Sequence, residues 1–324
     1  MLHIEPKDAE IKVVHSYLLG GVGPRPIALV STISTDGHVN LSPFSFFNAF
    51  GANPPTVAFS PSRRVRDNTT KHTYENLVAT GECVIQAVTY DMVQQVNLAS
   101  AEYPAEVDEF VKTGLMPEPS DIVRPPRVKQ SPFQMECKLQ QMISLGGKGG
   151  SGNLAICEVV KFHIDERLFD GDGVIHPDRI DLVARMSANY YCRASGDNVF
   201  VVKKPLRKLG IGYDQLPDFI KQSKVFSANN LGQLANTERV PAVEEVSALI
   251  AELEPLEREE SALCEMEAQG NYRDMMRVVL HLSAHDRSRT GRLCQQVAKR
   301  ALDFDDTDFA WKVTLFGQMA ASAE

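Results

Sequence analysis

No two cysteines in this chain are spaced as C-x-x-C, and its 324 residues include a single tryptophan. The six cysteines (Cys83, Cys137, Cys157, Cys192, Cys264, Cys294) are widely scattered. That spacing offers neither a zinc site nor a disulfide framework and suits reduced, mostly buried thiols. H-E-x-x-H is absent, and the eight histidines show no ligand spacing, so no metal is expected. No apolar run is long enough to span a bilayer. The first ten residues, MLHIEPKDAE, carry acids where a signal peptide is basic and then apolar, which reads as a cytoplasmic protein. Basic residues are outnumbered, 34 Lys and Arg against 42 Asp and Glu, for a net charge of −8. This balance argues against nucleic acid or an anionic membrane as partner.

What is present is ordinary globular composition, at a length that favours two units. The chain changes character near residue 212. Before it, short β-rich runs alternate with turn signals. Pro26–Ile33 is apolar and β-branched, Asp36-Gly37 follows as a hairpin turn, and Val39–Leu41 begins the return strand. Thr56–Ser60 and Cys83–Thr89 read as further strands. Lys71–Thr80 reads as a helix stopped by Gly81. Two short helices are expected over Asp91–Ser100 and Pro104–Thr113, then a proline-rich surface stretch over Pro117–Pro126. Gln134–Ser144 and Asn153–His163 are long strands joined by a glycine-rich hairpin. Many strands with few helices between them suggest a closed barrel, so the fold class expected for 1–212 is mainly β.

Beyond residue 212 the period becomes helical, giving an all-α segment over 213–324. Val243, Val246, Leu249, Ile250 and Leu253 recur at helical spacing after Pro241. Arg273–Ser283, Arg289–Leu302 and Phe309–Met319 are further helices, with Gly270, Gly291 and the acidic Asp303–Asp308 stretch as punctuation. Their apolar stripes must bury against something, with Trp311 in that packing.

Gly147-Lys148-Gly149-Gly150-Ser151-Gly152 matches G-x-G-x-x-G literally. The dinucleotide fingerprint needs a helix after it, whose N-terminus holds the pyrophosphate. Here Asn153 leads into a strand, so a hairpin loop is expected.

Residues 23–77 carry the chemistry. They contain Gly23-Pro24-Arg25-Pro26, a strand ending Ser31-Thr32, then Asn40-Leu41-Ser42-Pro43-Phe44-Ser45-Phe46-Phe47-Asn48. Ala58-Phe59-Ser60, Arg63-Arg64 and Lys71-His72-Thr73 follow. Arg63, Lys71 and Thr73 are what a dianionic phosphate needs: cations, a hydroxyl donor and a helix start. Phe46 and Phe47 beside Ser45 and Asn48 offer an apolar slot with donors for a ring. Each piece alone also suits a plainer role, the phenylalanines as core and Arg63–Arg66 as a solvated turn.

In order and spacing these motifs resemble the flavin reductase-like, FMN-binding split β-barrel family, which includes flavoredoxin. The resemblance runs over about residues 10–205 and continues through Tyr103-Pro104, Val107–Phe110, Pro125–Val128, Glu136–Leu139, Glu158–His163, Ala184-Arg185 and Tyr190-Tyr191. It implies a homodimer with FMN near the subunit interface. Arg25, Ser31 and Thr32 would border the ribityl and phosphate. Ser45, Phe46, Phe47 and Asn48 would line the ring, Ser60, Arg63, Lys71 and Thr73 would hold the phosphate, and Arg185 and Tyr191 would approach the outer side. His72 stands where the family commonly has Asp. Gly152-Asn153 stands where many flavin-releasing reductases have His, which leans toward FMN kept as a prosthetic group. The activity implied is that of an FMN oxidoreductase taking hydride from NAD(P)H and passing electrons to an acceptor protein or a monooxygenase. A non-enzymatic FMN carrier and a split-barrel ligand-sensing or interaction protein are the alternatives. No residue is marked as a general acid or base.

Overall fold

The apolar run after Arg25 and the segment after Asp36-Gly37 pair as expected. Gly37 takes φ +90°, and Ser34 N–H reaches His38 O at 2.9 Å to close the turn. The computed structural model describes residues 1–205 and 209–322 and divides into two compact units, Met1–Val201 and Val202–Glu324. Residues 202–205 and 209–212 therefore group with the helices, and Ile211 packs against their core.

In the first unit the strands in chain order are β1 (Arg25–Pro26), β2 (Ala28–Ile33), β3 (Val39–Phe44), β4 (Phe47–Ala52), β5 (Pro55–Phe59) and β6 (Glu82–Ala87). They continue with β7 (Pro117–Glu118), β8 (Arg127–Val128), β9 (Phe133–Ser144), β10 (Asn153–Ile164), β11 (Leu182–Arg185) and β12 (Tyr191–Ala194). Its helices are α1 (Ile11–Gly21), α2 (His72–Thr80), α3 (Val93–Leu98), α4 (Glu109–Thr113) and α5 (Pro177–Ile180). Seven strands form an antiparallel sheet in the order β3-β2-β6-β9-β10-β5-β4. Its two edges, β3 and β4, are consecutive in the chain, joined by Ser45-Phe46, and do not pair. This is a split barrel. A smaller sheet, β1-β11-β12, and the β7-β8 pair complete the unit.

Strand β2 is buried on both faces, and its first three residues, Ala28-Leu29-Val30, are apolar without a break. Ala28 and Val30 face the barrel interior with Phe59, Ile85, Cys83, Cys137 and Cys157. Ile27 and Leu29 face an outer layer built with Val96 and Phe110 from the α3 and α4 side. Hydrogen bonding to Cys137, together with burial, pushes the Cys83 thiol well above its ordinary range. Cys157 is raised too, by its contact with Cys83 and by burial. The glycine-rich loop is the β9–β10 hairpin and leads into strand, not helix. Gly149 is needed there because a Cβ would sit 2.8 Å from Val65 O.

The Pro117–Pro126 stretch is more than surface. Glu136, fully buried on the face of β9 opposite Met135 and Cys137, accepts the N–H groups of Asp121 (2.9 Å), Ile122 (2.6 Å) and Val123 (3.0 Å). His163 donates to the same carboxylate at 2.6 Å. Burial opposes its ionisation, but these bonds prevail and hold the group at about 2.

The sequence does not announce α1 or β4. Helix α1 has no side-chain cap and none of its residues is buried. β4 is exposed from Asn48 through Ala52.

In the second unit the helices are α6 (Asp218–Lys221), α7 (Ala228–Ala235), α8 (Val243–Glu252), α9 (Ala262–Ala268), α10 (Tyr272–His285), α11 (Thr290–Asp303) and α12 (Thr307–Ala321). Gly291, expected between helices, lies in the first turn of α11. It faces Gly317 of α12, where a Cβ would meet Cys294 Cβ at 2.7 Å and Gly291 Cα at 3.1 Å. The glycines let two helices cross closely. Trp311 is fully buried and its indole N–H donates to Leu234 O at 3.0 Å. Among the described residues no helix is long and apolar enough to cross a membrane.

Two expectations follow. Gly317→Ala should destabilise the helical unit by about 1–3 kcal/mol through overpacking. Gly232→Ala, in α7 with nothing within 4 Å of its Cβ position, should stabilise it by up to about 1 kcal/mol. Urea denaturation followed by Trp311 fluorescence reads both, since the only tryptophan lies in this unit. For Glu136, whose pKa is depressed, the stabilisation is complete above the ordinary value of 4.5 and is lost as pH falls toward 2. Glu136→Gln should therefore cost about 1.5–3 kcal/mol at neutral pH. The gap from the parent should narrow below pH 4.5, as measured by circular-dichroism denaturation across pH.

Candidate functional site

The expected site residues fall into three groups. The first lies at the N-terminus of α2. Lys71 occupies the N-cap position without making a side-chain capping bond, so the positive end of the helix is left to other acceptors. Its ammonium, half-buried, lies 5.2 Å from the Phe44 ring centroid and forms no ion pair among the described residues. Burial lowers its pKa, nearby Arg64 lowers it further, and Glu102 partly opposes this. Thr73 is buried, and its Oγ1 accepts from Asn40 Nδ2 at 2.9 Å, leaving the hydroxyl proton to be donated. Thr32 fixes this arrangement from below: its Oγ1 accepts from Asn40 at 3.5 Å and from Asn76 at 3.2 Å. These bonds hold the start of α2 over β2 and β3.

Arg64, not Arg63, lines the small cavity with Lys71 and Thr73. Arg63 points elsewhere, donating to Asn68 O at 2.9 Å, and its backbone N–H binds Ser151 O of the β9–β10 hairpin at 2.9 Å. Arg64 Nε pairs with Glu102 at 3.1 Å, and Glu102 also holds Arg66 at 3.1 Å. Glu109 closes the cavity's far side. It is buried, accepts from Leu41 N–H at 3.1 Å, and burial raises its pKa.

The second group lies along α3. A slot of about 220 Å³ is lined by Phe44, Ser45, Val96, Asn97, Arg185 and Tyr191 among others. It shares the lining residue Ser100 with the cavity at Lys71, and the two adjacent spaces are taken together as the groove. Arg185 and Tyr191 face each other across the β11–β12 ladder, with the guanidinium 4.6 Å from the ring centroid. Of the Ser45–Asn48 run only Ser45 lines the slot. Phe47 packs against the barrel core. Phe46 and Asn48 are exposed, Phe46 with its ring 6.4 Å from that of His15 on α1.

The third group is structural in its contacts. Arg25 is buried and its guanidinium donates to the carbonyls of Leu19, Val22 and Met186, which ties the end of α1 to the β11–β12 turn. Ser31 is buried, donating to Pro126 O and accepting from Gln86 at 3.3 Å. Ser60 accepts from Asn153 N–H at 3.2 Å and lies 3.3 Å from Ser62 Oγ.

Sequence reasoning missed Asn40, Arg64, Glu102 and Glu109. Asn40 and Ser42 alternate with buried Leu41 on β3, a period-two signal that was there to be read. Asp121, Glu136 and His163 lie close enough for a cation, but Lys161 pairs with Asp121, and the Glu136 carboxylate is taken up by backbone N–H groups. The groove is thus an elongated slot with Lys71 and Arg64 at one end. Glu102 occupies that end as an internal counter-ion, so Glu102→Gln should bind inorganic phosphate severalfold more tightly than the parent, measured by calorimetry, while costing under about 1 kcal/mol of stability.

Comparison with known proteins bears on what the groove holds. The family profile described as the flavin reductase like domain matches residues 21–181. An uncharacterized protein of Aquifex aeolicus is 34% identical over 191 residues, 59% of this chain and 95% of that protein. Component B of nitrilotriacetate monooxygenase from Bacillus cereus superposes with a TM-score of 0.58 at 31% identity, covering 62% of this chain and 98% of that one. A split-barrel protein of Shewanella frigidimarina gives 0.54 at 27% identity over 63% of this chain and 100% of that one.

Proposed function

Because this chain belongs to the flavin reductase-like family, whose members share a flavin-related redox function, we propose that its first unit holds FMN as a resident cofactor, takes hydride from NAD(P)H and delivers electrons to an acceptor protein or a monooxygenase. The observation that carries this reading is the unpaired, half-buried Lys71 at the uncapped start of α2, beside the free hydroxyl proton of Thr73. A half-buried cation whose nearest carboxylate, Glu102, is already shared by Arg64 and Arg66 gains when an anion arrives to match it. A phosphate monoester fits: Lys71 and Thr73 donate to its oxygens, with the dipole of α2 behind them. Arg64 joins them once Glu102 lets go.

From there the groove leads past Ser100 to the slot, where Ser45 supplies a hydroxyl, Phe44 and Val96 supply apolar walls, and Arg185 sets a positive charge. When bound, the flavin would supply hydride acceptance and electron release, and the protein's part is to place it and set its electrostatics. Arg25, Ser31 and Ser60 contribute by holding the scaffold. FMN is favoured over FAD because one phosphate cavity is formed, and the one glycine-rich candidate for a second is a β-hairpin.

The homodimer belongs to the same proposal. Ile11, Tyr17 and Leu18 of α1 and Phe50 of β4 are exposed apolar residues on elements with little burial of their own. A second copy covering them would also shelter Phe46 and Asn48 beside the groove. Cytoplasmic residence completes the reading.

Titration of the purified full chain with FMN and with FAD, followed by visible absorption, tests it. Saturable binding with FMN preferred is expected, and Lys71→Ala should weaken it by about 1.5–3 kcal/mol, the range for hydrogen bonds to charged groups. The absence of FMN binding, or equal binding of FAD, would overturn the assignment. Sedimentation velocity should show a dimer.

A further inference from the structure

Beyond the slot the groove opens into a cleft of about 490 Å³ that the proposed FMN site does not use. The two spaces share Val93, Asn97, Arg185 and Tyr191, so a molecule in the cleft would sit next to whatever fills the slot. Two cation–ring stacks line it. Arg185 lies 4.6 Å from the centroid of Tyr191, and Arg193 lies 4.0 Å from that of Tyr90. Gln94, Asn97 and Asn189 add amide donors and acceptors, and Val93 and Val183 add apolar surface.

The two guanidinium groups differ in charge balance. Arg193 is neutralised by Asp181 through two bonds of 2.7 and 2.6 Å. Arg185 has no carboxylate partner among the described residues. Its neighbour in the β1–β11 ladder is Arg25, whose guanidinium reaches only carbonyls. The cleft therefore presents one uncompensated positive charge, on a planar fork suited to the two oxygens of a carboxylate. Exposed phenol rings beside it suit a flat π-system. A diphosphate would require a second free cation, and Arg193 is already committed.

We propose that this cleft is a ligand site for a planar aromatic monocarboxylate, held against Arg185 and beside the flavin. The inference rests on the FMN reading for what lies next to it, but its own chemistry comes from the cleft alone.

The test uses the full chain loaded with FMN, the loading being checked first by absorption. Benzoate is titrated by calorimetry and by its effect on the visible flavin bands. Saturable one-to-one binding that perturbs those bands is expected. Arg185→Gln should lose about tenfold or more in benzoate affinity, as befits a charge-assisted pair, when measured at saturating FMN. Asp181→Asn, which releases Arg193, should tighten benzoate binding and admit phthalate, a dianion, and this second variant serves if Arg185→Gln does not fold. FMN-loaded protein that ignores benzoate, or that binds ADP more tightly than benzoate, overturns the proposal and leaves the FMN reading standing. A chain that takes up no FMN overturns both the FMN reading and the placement beside it.

Discussion

The arrangement depends on a seam. Seven antiparallel strands curl until β3 and β4 come round as consecutive segments, yet only the two residues Ser45-Phe46 join them and no ladder closes the gap. An unpaired sheet edge has to be covered or bound by something. One side of the seam carries Asn40 and Ser42 facing the start of α2. The other runs out as β4, exposed from Asn48 through Ala52. The groove exists because the barrel does not close.

Polar contacts make this opening rigid. Thr32, Asn40, Thr73 and Asn76 join β2, β3 and α2 in one hydrogen-bonded knot, so Lys71 is delivered to a fixed place. Arg25 performs a matching task at the other end, where three carbonyls from two segments converge on one guanidinium. Glu136 does the same for the Asp121–Val123 backbone. For Arg25 and Glu136 the buried polar side chain is satisfied by backbone groups of irregular segments and helix ends, which is how such segments are held in place.

Much of this was legible in the sequence where local chemistry is decisive. Asp36-Gly37 marked its hairpin, Gly81 at φ +71° stopped α2, and the glycine loop betrayed its β-hairpin through the strand that follows. The strand pattern suggested a closed barrel and family resemblance a split one, while the helical segment emerged from the change of period. What remained hidden was decided by long-range contact. Consecutive arginines look alike in sequence, and only the fold turns Arg64 inward and Arg63 toward Asn68. Glu109 meets Leu41 from 68 residues away. Arg25 reads as an anion ligand until the carbonyls around it are seen. Helix α1 escaped notice because its apolar residues bury nothing within the chain, so no stripe pointed to a core.

Buried Cys83, Cys137 and Cys157 share the barrel core, where contact with a neighbouring sulfur and burial raise the thiols of Cys83 and Cys157. Thiolate is the form that peroxide and electrophiles attack, and these sulfurs scarcely offer it. A protein of flavin-related redox function works beside a source of oxidants. Its most crowded cysteines are buried while the barrel stays folded, leaving exposed Cys264 and half-buried Cys192 as the sulfurs open to damage. Oxidation marks on the inner trio would thus be a record that the barrel had opened.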